Sequence, residues 1–248
     1  MTDGPRVVSL APSATATLGA MDAAALVVGV TTHCDLDRPV VGGWLNPDVD
    51  RLADLDPDVV CTCDDLQQEI RDDLRDEGFD VVHTEPTTLD ETLDSFETLG
   101  AAVGRPDAGE RLVADARRRL DRVASHVEDR DRPVVYCEEW SDPPMAAGNW
   151  VPDAVEAAGG SYPFVDAGER SREVAASTVA AADPDHVVLH ICGHGQRVDP
   201  ERVESRGWDL DADVHVLDDS LLNQPSPRLV DGIETLAERL HGAIPTAR

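Results

Sequence analysis

Seven short apolar runs, most of them carrying a Val-Val pair, punctuate this chain: RVVSL (6–10), LVVGV (26–30), DVVCTC (58–63), DVVHT (80–84), PVVYC (133–137), HVVLHIC (186–192) and DVHVL (213–217). Each is the length of one strand and too short for a free-standing helix, and helical patterns lie between them. Alternation of that kind predicts an α/β chain whose strands are parallel and covered by helices on both faces.

An internal echo divides the pattern in two. Asp56-Pro57-Asp58-Val59-Val60 returns, slightly stretched, as Asp183-Pro184-Asp185-His186-Val187-Val188 about 127 residues later, and RVVSL and PVVYC stand at much the same offset. The chain therefore reads as two similar α/β lobes. Between them Val113, Ala116, Leu120, Val123 and Val127 recur at three- and four-residue steps, which predicts a helix over Pro106–Val127, about 33 Å long. The expected organisation is an N-terminal lobe over 1–104, a bridging helix over 105–130 and a C-terminal lobe over 131–248, with only slight closure of one lobe on the other. Thr88 with Glu91 forms a capping box, Pro152 suits a first helical turn, and Gly159-Gly160 marks a helix end.

Charge excludes some functions. There are 50 acidic residues against 21 basic ones, every basic residue is Arg, and the net charge is −29. Such a chain repels itself in dilute buffer, while molar salt shortens the Debye length to about 3 Å, so stability should rise with salt. It also repels phosphate backbones: Arg117, Arg118, Arg119 and Arg122 form the one basic cluster, flanked by Asp115 and Asp121, and no nucleic-acid partner is expected. The opening MTDGPRVVSL lacks the charge and apolar stretch of an export leader, and no run of 18 apolar residues occurs. The expectation is a cytoplasmic monomer, with the cell surface as the alternative if an export signal is missing from this chain.

Ligands of open α/β sheets bind beyond the carboxyl ends of the strands, so the residues just after each run are the candidates. They include Ser13, His33, Cys34 and Trp44 from the first half, and Glu139, Trp140, Cys192, His194 and Asp219 from the second. The stretch EEWSDPPMAAGNWV (138–151) is notable because it holds Trp140 and Trp150, half of the four tryptophans, in a chain that is 4% aromatic. Facing lobes would place Trp44 on one wall of a cleft and Trp140 and Trp150 on the other, gripping a flat or apolar ligand. The bland alternative packs both indoles on the Pro143-Pro144 turn. His33, Cys34, Cys192 and His194 are also candidate zinc or cobalt ligands, and Cys192 with His194 or His33 a candidate nucleophile pair. Cys61 and Cys63 share one strand face and read as buried thiols. No Gly-x-Gly-x-x-Gly or P-loop follows a strand, so no nucleotide cofactor is expected.

Taken together, VVSLAPSAT (7–15), VGVTTHCD (28–35), GGWLNPDVDRL (42–52), LDPDVV (55–60), EEWSDPP with AAGNWVPDAVEAAGG (138–160), ADPDHVV (182–188), ICG (191–193) and PSPRLVDGIETLAERLH (225–241) resemble the substrate-binding proteins of vitamin B12 and iron-siderophore ABC transporters, the helical-backbone class, and especially its cobalamin-binding branch. The resemblance runs from Arg6 to His241.

That resemblance implies two Rossmann-like lobes joined by a backbone helix, a corrinoid in the cleft between them, no intrinsic cofactor, no catalysis, and an ABC permease as partner. It places Trp44 at an aromatic contact to the corrin, and His33 where the family has tyrosine. His33 is thereby a candidate ligand to the corrinoid cobalt, since neutral imidazole binds cobalt well. A family tryptophan falls near Ser171, where Trp140 or Trp150 would compensate. Asp219 and Gln224 fall near polar contact positions, and Arg228 and Arg197 are the candidate arginines of the binding loops. Asp50 matches one of the two carboxylates that dock on the permease; Ser177 stands at the other, with Glu173 one turn earlier as its substitute. The alternatives carried forward are a siderophore or metal-chelate receptor, for which several cleft arginines would be wanted, and a Cys/His metal-dependent enzyme.

Overall fold

The computed structural model describes residues 4–208 and 210–244; the outer ends assigned to the two lobes, 1–3 and 245–248, lie outside them. The chain divides into two compact units, Met1–Pro86 with Asp90–Ala116, and Thr87–Leu89 with Arg117–Arg248.

The first unit holds β1 (Val7–Ser9), α1 (Pro12–Ala20), β2 (Val27–Val30), a small hairpin of β3 (Gly42–Gly43) and β4 (Asn46–Pro47), α2 (Val49–Asp54), β5 (Val59–Cys63), α3 (Gln68–Asp76), β6 (Val81–Thr84) and α4 (Leu89–Ala102). β2, β1, β5 and β6 lie in that order in one sheet, every pair parallel. Burial is continuous along β5, as parallel pairing between covered faces demands: Cys61 is fully buried and Cys63 nearly so. Val8, Leu10, Val41, Leu52, Val60, Leu74 and Val81 form a core cluster of this unit.

The periodic stretch is one helix, α5 (Pro106–Val127), and the boundary between the units falls within it, after Ala116. The second unit continues with β7 (Val135–Ser141), β8 (Pro144–Ala146), α6 (Val151–Ala157), β9 (Arg172–Glu173), α7 (Ala176–Ala182), β10 (His186–Leu189), α8 (Glu201–Ser205), β11 (Asp213–Val216) and α9 (Arg228–His241). Its sheet runs β11-β10-β7-β8-β9, with β10 parallel to β7 and β11 and the β8 and β9 pairings antiparallel. Tyr136, Phe164, Leu189, Ile191 and Leu222 are among its largest fully buried side chains.

The repeated Asp-Pro-Asp has a structural cause. In the first unit Asp56 takes the left-handed conformation (φ 45°), Pro57 follows, and the Asp58 carboxylate accepts the Arg6 backbone N–H at 2.7 Å as β5 begins beside β1. In the second unit Asp183 is left-handed (φ 48°), Pro184 follows, and the Asp185 carboxylate accepts the Val134 N–H at 2.7 Å where β10 begins beside β7. Each motif turns the chain and satisfies a strand-edge donor that would otherwise be unpaired. α4 begins one residue after Thr88 of the expected capping box, and α6 carries Pro152 in its first turn with Gly159 left-handed beyond its end.

Candidate functional site

At the carboxyl ends of the first sheet, three loops are tied to one side chain. Gln67, fully buried, donates through Nε2 to the carbonyls of Leu10 (3.2 Å) and Trp44 (2.7 Å), while its Oε1 accepts the Cys63 N–H (2.9 Å). Trp44 and Leu45 form the two-residue turn between β3 and β4, and Leu45 is half exposed. Gly42 allows this turn because its φ of 114° is costly for any side chain, and its carbonyl accepts both the Thr32 N–H and the Thr32 hydroxyl at 3.0 Å. The hairpin backbone is thus held at Gly42 and at Trp44, leaving the indole partly exposed. His33, next to Thr32, is exposed in the loop after β2. Asp50 is exposed on α2.

Ser13 departs from the expectation of a ligand contact. It sits in the first turn of α1, 5% exposed, with its hydroxyl bonded to the Cys63 thiol. Burial raises both strand thiols, that of Cys61 to about 12, so neither is a nucleophile at neutral pH.

In the second unit the strand-end residues Glu139, Cys192 and Asp219 come together. The Cys192 N–H donates to the Glu139 carbonyl (3.0 Å), the Gly193 N–H donates to Asp219 Oδ2 (2.6 Å), and Asn223 bonds the Cys192 thiol. Burial raises the pKa of Glu139, with a hydrogen bond from Ser171 partly opposing it. Ser171 reaches this place because Gly148 has no side chain: a Cβ there would collide with the backbone of Glu169–Ser171. Asn223 also donates to the His190 carbonyl (2.9 Å), which turns its Oδ1 to His190 Nδ1. His190 is therefore the Nδ1–H tautomer, and its buried Nε2 has no partner among the described residues. Burial lowers its pKa to about 4.

The two indoles of 138–151 part company. Glu139 is a bulge residue opposite β8, where Glu138 pairs with Ala146 and Trp140 with Met145. The extra residue puts Glu138 inward at 0% exposure and turns Trp140 out at 47%, its Nε1–H donating to the Asp142 carbonyl (2.9 Å). Trp150 instead lies in the core, 5% exposed, donating to the Leu222 carbonyl at 2.7 Å. The expectation that Trp150 faces a ligand is corrected on that ground, as its apolar surface and its one donor are both spent inside the unit.

Glu138 opens the EEWSDPP stretch, and its bonds are all within the second unit. It is clamped by Arg206 through two bonds of 2.6 and 2.7 Å and accepts the hydroxyls of Ser141 (2.7 Å) and Tyr136 (3.1 Å), while the Arg206 guanidinium lies 4.9 Å from the Trp208 ring centre. Of the remaining candidates, His194 is exposed with Nδ1 3.0 Å from the Cys192 carbonyl, Gln224 donates to the Ser220 carbonyl (3.1 Å), and Arg197, Arg228, Glu173 and Ser177 are exposed.

The metal and enzyme alternatives find no support in this geometry. Among the described residues no three His, Cys, Asp or Glu side chains gather into a metal-binding group. The Cys192 thiol is raised by burial and then by Asp219 and Glu139, the opposite of what a nucleophile needs.

Known proteins complete the picture. A vitamin B12-binding protein of Vibrio cholerae is 25% identical over 247 residues, covering 95% of this chain and 88% of its own. A cobalamin-binding protein of Halobacterium salinarum is 27% identical over 257 residues, covering 95% and 69%. The crystal structure of the periplasmic vitamin B12 binding protein BtuF of Vibrio cholerae superposes with a TM-score of 0.78 at 22% identity, over 96% of each chain. The family described as periplasmic binding protein matches residues 7–209. The expectation of a cytoplasmic protein is overturned by that match, since these proteins are periplasmic or face the outside of the cell. No helix among the described residues is long and apolar enough to cross a membrane. The chain belongs to the periplasmic binding protein family and is, like its members, a two-lobed, non-enzymatic solute-binding protein.

Proposed function

We propose that this protein binds cobalamin or a closely related corrinoid outside the cytoplasmic membrane and delivers it to an ABC permease. Relatives over most of the chain are named for vitamin B12 and cobalamin. The observation that carries the choice among tetrapyrroles and chelates is the pair of carboxyl groups, Glu139 and Asp219, at the strand ends of the second unit. A corrin is edged by neutral carboxamides, whose N–H groups suit carboxyl acceptors. Heme propionates and anionic ferric siderophores would meet repulsion and desolvation there, with only the exposed Arg197 and Arg228 of the candidate loops to offset it. Trp44 and Trp140, both partly exposed, supply flat apolar faces for the macrocycle. His33, exposed beside the Trp44 hairpin, is proposed as the cobalt ligand, and Asp50 and Glu173, exposed on one unit each, as the permease contacts.

The test is titration of the purified protein in molar salt with cyanocobalamin, cobinamide, heme and a ferric siderophore, read by absorbance and calorimetry. Stoichiometric binding of the two corrinoids and weak binding of the anionic ligands is the expected result. Tighter binding of heme or the ferric chelate would overturn the reading. Cobalt ligation is tested separately: His33→Ala should shift the visible spectrum of bound cobinamide, and an unchanged spectrum removes that role.

A further inference from the structure

The structure assigns Gln67 as the positioning residue for Trp44, an inference that rests on the proposed role of Trp44 as a ligand contact. Gln67 shows neither periodicity nor a motif that would mark it in the sequence, yet its carboxamide is fully buried and its three bonds all go to backbone groups of the loops and strand end around it. Its acceptor takes the Cys63 N–H at the end of β5, one donor goes to Leu10 just after β1, and the shortest bond, 2.7 Å, holds the Trp44 carbonyl at the hairpin turn. A two-residue turn with a partly exposed Trp44 and a half-exposed Leu45 has little packing of its own to fix it. Thr32 pins it at Gly42, and Gln67 pins it at the residue that bears the indole. The carboxamide therefore carries the rigidity of the sheet to a ring that would otherwise pay conformational entropy on binding. Gln67 is placed to act on the ligand only through Trp44.

A double-mutant cycle tests this, with cyanocobalamin as the probe and dissociation constants measured in molar salt. Gln67→Met, close in size and without the three bonds, should weaken binding about tenfold in the wild-type background. In the Trp44→Ala background it should weaken binding by no more than about twofold, because the group it positions is gone. Equal losses in both backgrounds would mean a general structural role and would overturn the proposal, as would unchanged affinity in a folded Gln67→Met. If Trp44→Ala itself binds like the wild type, the ligand-contact reading of Trp44 falls and this inference falls with it; if Trp44→Ala weakens binding and Gln67→Met does not, only the inference falls. Gln67→Glu is the second variant, since it keeps the acceptor for Cys63 and loses both donors; failure of both variants to fold would make Gln67 a folding residue and end the proposal.

Discussion

The two units share their amino-terminal strand ends and differ at their carboxyl ends. In each, an Asp-Pro-Asp turn starts one strand and caps the backbone of its neighbour with the same 2.7 Å bond. Strand order also corresponds, β2-β1-β5-β6 against β8-β7-β10-β11, except that β8 pairs antiparallel because the chain folds back through a hairpin after β7 where the first unit continues into α1. At the opposite ends a side-chain amide does the tying in both, the fully buried Gln67 in the first unit and the partly buried Asn223 in the second, but what is tied differs: the neutral hairpin bearing Trp44 in one, His190 and the Cys192 thiol, beside Glu139 and Asp219, in the other. A repeated scaffold is therefore compatible with chemically distinct strand ends, because the bonds that hold the scaffold lie at the far edge of each sheet.

The sharpest way to break this comparison is to exchange the roles of the indoles in the second unit. Trp150→Ala should cost roughly 4–5 kcal/mol, since it empties a core position and strands the Leu222 carbonyl, whereas Trp140→Ala at an exposed site should cost under about 1 kcal/mol; chemical denaturation in molar salt measures both. Arg206→Ala should cost about 3–4 kcal/mol by leaving the Glu138 carboxylate buried and unpaired. The first unit holds no counterpart of this pair at Gln67, and a loss of the same size in Gln67→Met would erase the contrast.

Acid should strike the second unit through His190. Its folded pKa, about 4, lies below the ordinary value of 6.5, so the folded state refuses a proton that the unfolded chain accepts. Stability is full above pH 6.5 and is lost as pH falls toward 4, by up to about 3 kcal/mol. Asn223, Glu138 and Asp219 are the polar groups acting on it. His215 shifts in the same direction through burial and His186, while Glu139, raised by burial, contributes in the opposite sense and stabilises as pH falls. Denaturation midpoints from pH 7 to 4 should fall less steeply in His190→Gln than in the wild type. A smaller effect than that of acid falls on binding: Trp44→Ala should lose about 1–2 kcal/mol of corrinoid affinity with stability nearly unchanged, measured by titration.

Much of the scaffold was legible before any coordinates. All seven Val-rich runs are strands, Pro106–Val127 is a single helix, and the Asp-Pro-Asp repeat marks real turns, because strand burial, helical period and turn chemistry act over a few residues at a time. The rule that ligands sit beyond strand ends also points to Glu139, Cys192 and Asp219, which the structure brings close to one another. Trp140 and Trp150 show the limit: ten residues apart and alike in composition, they are separated by a bulge at Glu139 and by the core around Leu222. Ser13 was misread for the same reason, as its exposure depends on the β5 thiol it touches. Gln67, Asn223 and Arg206 left no trace in the sequence, since the bonds to Trp44, His190 and Glu138 that define them reach 23, 33 and 68 positions along the chain.

The amino-acid sequence by itself determined the element order, the twofold repeat, the strongly acidic, lysine-free surface and the strand ends at which to look. Only tertiary structure decided which side chains remain available there, because availability is set by contacts with residues distant in the chain, and no local pattern encodes what a bulge turns outward or a core takes in.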